Sequence, residues 1–428
     1  MRRTRSDCCQ VEVQRIAIFT SEKPYVTFDN SSIESRDTRL SRSLSGTNLK
    51  RAGDYNMRTV LQAIRLNGET TRGALARMTG LTAPTIANIT NRLIELDLVR
   101  NPGRIRGARG QPALRLQVNS DGAFGIGLNI DRDHLTMVTM DLSGRVRSRL
   151  TREVAFAMPD DVSAFVHGEL DRLLVDGGLD SNRVLGIGVA LPDDLGRITL
   201  PHQPAGYERW TDVDPAALLS TLPWPIHSDN DAAAAALGEA EFGTAFENPS
   251  FFYILINAGL GGGPVIDRAY HRGTNARSGE IGLMPDTTGS RGAIIQDTVS
   301  LSALLARLED SGEREPKLVD LMSKTREVTE VIEEWLTDAV RVLTAPLVAI
   351  NCLLDLDAIL IGGRLPMPLI ARLAEGLSEA LNAVPQPCRA KIMPAVMAQD
   401  APAVGAAILP FLDHILPSDS ILIQSGRR

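Results

Sequence analysis

The segment VLGIGVAL at 184–191 is apolar along its whole length. Such a run, without the polar/apolar alternation of a half-exposed strand, is expected of a strand buried on both faces in a parallel sheet. The signature returns in FFYILIN at 251–257 and in AILIGG at 358–363, which ends in glycines. GAFGIGLNI (122–130), HLTMVTMDL (134–142) and RVRSRLTREV (145–154) are further strand candidates, with Leu142–Arg145 as the turn between the last two. SDNDAAAAALGEAEFG at 228–243 sets polar residues at the start of an alanine-rich helix, GLGGG at 259–263 reads as a glycine loop between strands, and a long helix is expected over about 327–353. This order predicts an α/β body of two similar halves with a cleft between them.

Charge separates that body from what precedes it. Residues 1–118 hold 20 of the 45 basic and 10 of the 52 acidic residues, a balance of +10, which leaves −17 for 119–428. A small basic module ahead of a large acidic body points to a nucleic-acid partner for the former. The sequence has no run of 18 or more apolar residues, which argues against a membrane span, and no apolar stretch with a small-residue cleavage site at its start, which argues against secretion. Cys8, Cys9, Cys352 and Cys388 show no CxxC spacing, so a reducing cytoplasm fits better than a disulfide framework.

Residues 1–53, rich in Ser, Arg, Thr and Asp, read as a disordered basic leader. A DNA-binding domain is expected over 54–118. Met57, Val60, Leu61 and Ile64 recur at helical spacing, and NGETT ends that helix. RGALARMTG follows, with Leu75 and Met78 on one face and Gly80 as the terminator. A third helix has Thr82 as N-cap and Pro84 in its first turn, and turns Ile86, Ile89 and Leu93 inward. Thr82, Thr85, Asn88 and Arg92 then edge its outer face, a set suited to the major groove, where Asn pairs with adenine and Arg with guanine or phosphate. Arg100, Arg104, Arg106 and Arg109, spaced by glycines before a strand-like alternation, read as a β-wing with a basic tip. Double-stranded DNA is the expected partner.

The motifs GIGVALP (186–192), NDAAAAALGE (230–239), GLGGG (259–263), SGEIG (278–282), ILIGG (359–363) and AVGAAIL (403–409), in this order and spacing behind a winged helix, resemble the ROK family of repressors and sugar kinases over about 54–428. The resemblance implies an actin-like, ribonuclease H-like, two-lobed sugar-kinase fold. Its small lobe would span about 119–237 plus a C-terminal helix at about 402–415, and its large lobe about 238–401. It further implies a cytoplasmic regulator of carbohydrate metabolism, a repressor acting as a homodimer or homotetramer.

By the same resemblance, Asp231 matches the kinases' catalytic carboxylate and Asn230 its neighbour, while Glu280 reaches the sugar hydroxyls and His202 lines the cleft from the other lobe. The kinases' Asp-x-Gly-x-Thr-like phosphate motif has become Asn129, Ile130, Asp131, Arg132 and Asp133, and a third glycine has become Arg364. Bulk and negative charge at Asp131 should repel ATP, so loss of kinase activity is expected. The family's zinc segment is also lost: its histidine is Leu283, and 284–300 contains no cysteine, so no metal is expected. Leu283 removes one sugar contact, and Gln296 replaces a glutamate that supplies another. The expected effector is a sugar or sugar derivative. Two other readings stay open here, an active ATP-dependent sugar kinase with a DNA-binding appendage and a repressor released by a transporter protein.

Overall fold

The structure is a computed structural model that describes residues 49–105, 113–193, 195–197, 203–243, 247–289, 291–314, 316–323, 325–386, 388–397 and 400–417. Most of the expected leader lies outside the described residues, as do Arg106, Arg109 and His202.

The N-terminal module comprises α1 (Leu49–Asn67), β1 (Thr70–Thr71), α2 (Arg72–Thr79), α3 (Ala83–Glu95), β2 (Val99–Arg100), β3 (Arg104–Ile105) and β4 (Ala113–Val118). Strand β4 pairs antiparallel with β1, β2 and β3. Helix α1 begins at Leu49, ahead of the Asp54 boundary drawn from apolar spacing, and between residues 52 and 57 no side chain is buried to mark it. Local chemistry sets the helix ends. Thr71 accepts from the Ala74 amide at 3.3 Å, Gly80 turns the chain out of α2 at φ +70°, and Thr82 accepts from the Thr85 amide at 3.4 Å. Val60, Leu61, Ile64, Leu75, Ile86 and Leu93 are buried together. Met78 is 48% exposed, because it sits in the last turn of an eight-residue helix and points away from this core.

The body repeats one topology twice. In the first half β5 (Phe124–Ile130), β6 (His134–Asp141), β7 (Val146–Glu153), β8 (Val184–Leu191) and β9 (Ile226–Asn230) form a sheet of order β7-β6-β5-β8-β9. Strands β5, β6 and β7 are antiparallel neighbours, while β8 and β9 add in parallel. In the second half β10 (Phe251–Ile256), β11 (Leu260–Ile266), β12 (Ala269–Tyr270), β13 (Ala358–Gly363) and β14 (Lys391–Pro394) are arranged as β12-β11-β10-β13-β14, with the same parallel pair at one side. The expectation of two similar halves thus describes the strand order itself.

The helices of the body are α4 (Pro159–Gly177), the short α5 (Pro215–Leu218), α6 (Asp231–Phe242), α7 (Leu301–Asp310), α8 (Arg326–Leu354), α9 (Met367–Ala383) and α10 (Ala401–His414). Helix α8 is long and apolar enough to cross a membrane by length and composition. Its stripe of Val328, Trp335, Ala339, Leu343 and Leu347 is buried in the core of the second half, where Trp335 donates to the carbonyl of Thr298 at 2.9 Å. Helix α10 crosses the first sheet at close range. A Cβ on Gly127 or Gly188 would lie 1.9 and 1.8 Å from the carbonyl oxygens of Ala403 and Ala406, so the glycines of these strands are what admit the helix.

One reading of the sequence is corrected here. Gly261, Gly262 and Gly263 belong to strand β11, and the turn is made by Asn257–Gly259, closed by the Asn257 amide on the Gly259 carbonyl at 3.0 Å. A Cβ at Gly261 or Gly263 would meet the Cβ of Ala232 or Ala236 at 2.8 or 2.6 Å, so these glycines seat α6 against the strand.

The module and the body share one core. Val60, Leu61 and Ile64 of α1 belong to the same buried cluster as Val404, Ala407, Ile408 and Phe411 of α10. Arg58, also on α1, donates through Nη1 to the carbonyls of Leu412, Asp413 and Leu416 at 3.3, 2.8 and 3.2 Å, satisfying orphan acceptors at the end of α10.

Candidate effector cleft and DNA-reading face

On α3 the outward set expected from the sequence is available to solvent. Thr82, Asn88 and Arg92 are exposed and Thr85 is half-buried, while Ile86, Thr90 and Leu93 face the core. Thr82 and Thr85 share a hydroxyl hydrogen bond of 2.8 Å. Arg92 pairs with Glu95 at 3.3 Å, both well exposed, a contact of little energetic weight that DNA phosphate can replace. Arg72, which the sequence reading did not single out, donates to Thr90 at 2.8 Å and to Asn91 at 2.6 Å, fixing α2 against α3. In the wing, Arg104 lies on β3, paired through main chain with Leu114 of β4.

A cleft of about 220 Å³ opens where the two halves meet. Asn230, Asp231, Glu280, Leu283 and Gln296, which the motifs single out separately, all line it. Asn230 and Asp231 stand at the junction of β9 and α6. The side-chain Oδ1 of Asn230 caps α6, accepting from the amides of Ala232 and Ala233 at 2.9 and 3.1 Å. Its Nδ2 has no partner among the described residues, so capping leaves a donor of the same side chain available at the cleft. Asp231 is 8% exposed, and its Oδ1 accepts from the Ala232 amide at 2.8 Å.

Glu280 is placed by a backbone contact. Gly279 has φ +99°, and a Cβ there would lie 2.3 Å from the carbonyl oxygen of Gly262, so a glycine is required for this loop to rest on β11 and carry the next residue over the cleft. Leu283, 48% exposed, presents an apolar wall at the same rim. Arg132 of the 129–133 stretch also lines the cleft, as do Asp193, Tyr270 and Arg277, which the sequence reading did not single out. Arg277 pairs with Asp193 at 3.5 Å across the opening. Asp229, just below the floor, is bound by Arg272, yet burial still raises its pKa.

The loop whose bulk and negative charge are expected to repel ATP is closed by internal partners. Asp131 is buried and accepts from Asn257 Nδ2 at 2.8 Å and from the Arg132 amide at 2.7 Å. Burial, with Asp133 alongside, raises its pKa. Asp133, half-buried, is held below the carboxylate norm by His134 at 2.7 Å and by Arg364 at 2.7 Å, against the desolvation that would raise it. Arg364 also reaches Glu153 at 2.6 Å, and Asn129 Nδ2 lies 3.1 Å from His134 Nε2. Arg364 and Asn257 belong to the second half and Asp131, Asp133 and Glu153 to the first, so these contacts fasten the halves to each other.

The zinc of the family's kinases does not fit the described residues after Glu280. Among 281–289 and 291–300 there is no histidine or cysteine. The two carboxylates close local turns: Asp286 accepts from the amide and hydroxyl of Thr288 at 2.7 Å, and Asp297 from the amides of Ala293 and Ile294 at 3.0 and 3.2 Å.

Helix α6 runs from the cleft to the DNA-reading module. Its first residue is Asp231, and Ala232–Ala236 are buried all round. At its far end Glu241 accepts from Gln62 at 2.9 Å and from Arg65, and the Arg65 guanidinium stacks over the ring of Phe242 at 4.7 Å. Twelve residues rising about 1.5 Å each make a rod of roughly 18 Å.

Residues 126–411 match the ROK family, and residues 54–100 match the winged helix-turn-helix DNA-binding family. The y4fQ protein of Sinorhizobium fredii is 29% identical over 368 residues, which cover 83% of this chain and 90% of that protein. The xylose repressor of Bacillus subtilis is 24% identical over 234 residues, 54% of this chain and 60% of the repressor. A crystal structure of a ROK family transcriptional regulator, homologous to the MLC protein of E. coli, superposes with a TM-score of 0.64 at 22% identity over 87% of this chain and 99% of its own, a likeness of fold. A two-lobed body matched over well more than half of its length, carrying a DNA-binding module at its front, places this chain in the ROK family.

Proposed function

We propose that the chain is a transcriptional repressor whose ROK body binds a sugar or sugar derivative in the interlobe cleft and performs no phosphoryl transfer. It acts in the cytoplasm as a homodimer or homotetramer, with one α3 in each major-groove half-site. The observation that carries this reading is α6, which begins at cleft residues Asn230 and Asp231 and ends on Arg65 and Gln62 of the DNA-binding module. Amides and carboxylates such as Asn230, Asp231 and Glu280 serve several hydroxyls at once, while Leu283 favours a ligand with an apolar face at one position. Only an effector with unequal affinity for two lobe arrangements can alter DNA affinity. The loss of kinase chemistry rests on the Asp131, Asp133 and Arg364 network, which fills the phosphate motif with side chains bonded to one another.

The test is fluorescence anisotropy of the full chain on DNA from upstream of its own gene, repeated across a sugar panel. Sequence-dependent binding that one sugar weakens is the expected result. Binding indifferent to sequence at moderate salt would overturn the regulator reading, and sugar-dependent ATP consumption abolished by Asp231→Asn would overturn the loss of kinase activity.

A further inference from the structure

At the end of β9 away from the cleft, three potential ligands from two elements meet. His227 is the second residue of β9, Asp413 and His414 close α10, and one ligand atom of each lies within 4.8 Å of the others. The two imidazoles stand edge to face, with ring centroids 5.8 Å apart and planes at 85°. Nε2 of His227 and Nε2 of His414 are both buried, and neither has a hydrogen-bond partner among the described residues. The Asp413 carboxylate approaches His414 Nε2 only to 3.7 Å, beyond hydrogen-bond range.

Buried polar atoms are almost always satisfied, so two unmatched imidazole nitrogens beside a carboxylate call for a partner that accepts lone pairs and favours negative charge. A transition-metal ion meets both demands, since imidazole and carboxylate are the ligands of borderline divalent ions. Arg58 is the opposing charge. Its Nη1 is directed at the carbonyls of Leu412, Asp413 and Leu416, and the Asp413 carboxylate offsets it. Asp413 is exposed and gives an ion a route from solvent. The other cluster of this kind among the described residues, Asp131, Asp133 and His134, is already bonded to Asn257, Arg364 and Asn129.

We infer that His227, Asp413 and His414 form a binding site for a divalent transition-metal ion of the zinc type, with water completing the shell. Bonds of about 2.0–2.2 Å place tetrahedral donors roughly 3.3–3.5 Å apart, so side-chain rotations of about 1 Å draw these ligands in. An ion here pins β9, three residues ahead of Asn230, to the helix end on which Arg58 of the DNA-binding module is seated.

The experiment uses the untagged full chain stripped with a chelator and then titrated with Co²⁺, read by the visible absorption of the tetrahedral ion, and with Zn²⁺, read by calorimetry and by thermal melting. One equivalent bound, with a raised melting temperature, is expected. The double variant His227→Ala/His414→Ala should lose that equivalent, with affinity falling at least about 100-fold, since even supporting residues around a metal contribute 10–100-fold. Asp133→Asn should keep it. Melting in chelator reports whether each variant folds, and His414→Gln replaces the double variant should that one not fold. An unchanged equivalent in the histidine variants, or no Co²⁺ spectrum and no Zn²⁺ shift in the parent chain, overturns the inference. Neither readout involves DNA or sugar, so its failure leaves the regulator reading untouched.

Discussion

The join between α6 and α1 can be broken with one substitution, Glu241→Ala. Its carboxylate faces Arg65, whose side chain is 3% exposed, against 18% for Glu241 itself. Burial already lowers the Arg65 pKa, and Glu241 opposes that shift. With Glu241 gone, the guanidinium keeps, among the described residues, Gln62 Oε1 at 2.8 Å and the face of Phe242. Removing one partner of a buried pair costs about 3–5 kcal/mol because the other charge is left uncompensated. The 18% exposure of Glu241 admits some water, so about 3 kcal/mol is expected in urea unfolding. The functional consequence is separate. The variant should bind operator DNA as the parent does, since α3 is untouched, but the effector should no longer change that affinity. Coupling free energies are about 1–3 kcal/mol, a factor of roughly 5–150, and this factor should fall toward unity. The double variant Arg65→Leu/Glu241→Leu recovers stability by removing both charges. Its anisotropy then distinguishes transmission by packing from transmission by the ion pair. A full effector response in Glu241→Ala, measured at a temperature where it is folded, would refute the role given to α6.

Asn88→Ala should weaken operator binding by about 1–3 kcal/mol and relax preference at one base pair, while leaving the thermal shift caused by a cleft ligand unchanged; anisotropy on point-mutated operators reads both effects. Asp231→Ala should reduce the stabilisation given by the effector, measured as the loss of a thermal shift that amounts to about 2.7 kcal/mol at 100 times the dissociation constant. Asp131→Asn carries a pH signature. Burial raises the folded-state pKa of Asp131, so its contribution is full below the unfolded value of 3.8 and is lost as pH rises through the folded value. Asparagine keeps one of the two acceptor oxygens that Asn257 and the Arg132 amide use and bears no charge, so the stability of the variant relative to the parent should be greatest near pH 7 and should fall on acidification toward about pH 4. Denaturant midpoints across that range check the sign.

What the sequence made legible depended on whether the signal was local. The caps at Thr82 and Gly80, the inward stripe of α3 and the apolar strands follow from chemistry within a few residues, and they read correctly. Asn230, Glu280 and Gln296 could be brought to one cleft only because a family pattern links distant motifs. Contacts with no such pattern were invisible: Arg58 meets Leu412, Arg65 meets Glu241, and Arg364 meets Asp133 across most of the chain. The glycines of 259–263 misled for a physical reason. Glycine marks both a turn and a close approach of backbones, and in β11 it is the second that holds, because α6 lies on the strand.

That packing gives a reason for an alanine-rich helix between the cleft and the DNA-binding module. Ala232–Ala236 are buried on every side, against β11 on one flank and α10 on the other, where a Cβ on Gly405 would lie 1.6 Å from the Ala234 carbonyl. Large side chains can change rotamer and absorb a displacement, whereas alanine and glycine have no rotamers to change. Were an effector to displace Asn230 and Asp231, the movement would therefore be passed along the whole helix to Glu241. The same tightness means that Ala234→Leu should abolish folding rather than merely tune the response, since added methylenes at these approaches have no space to enter.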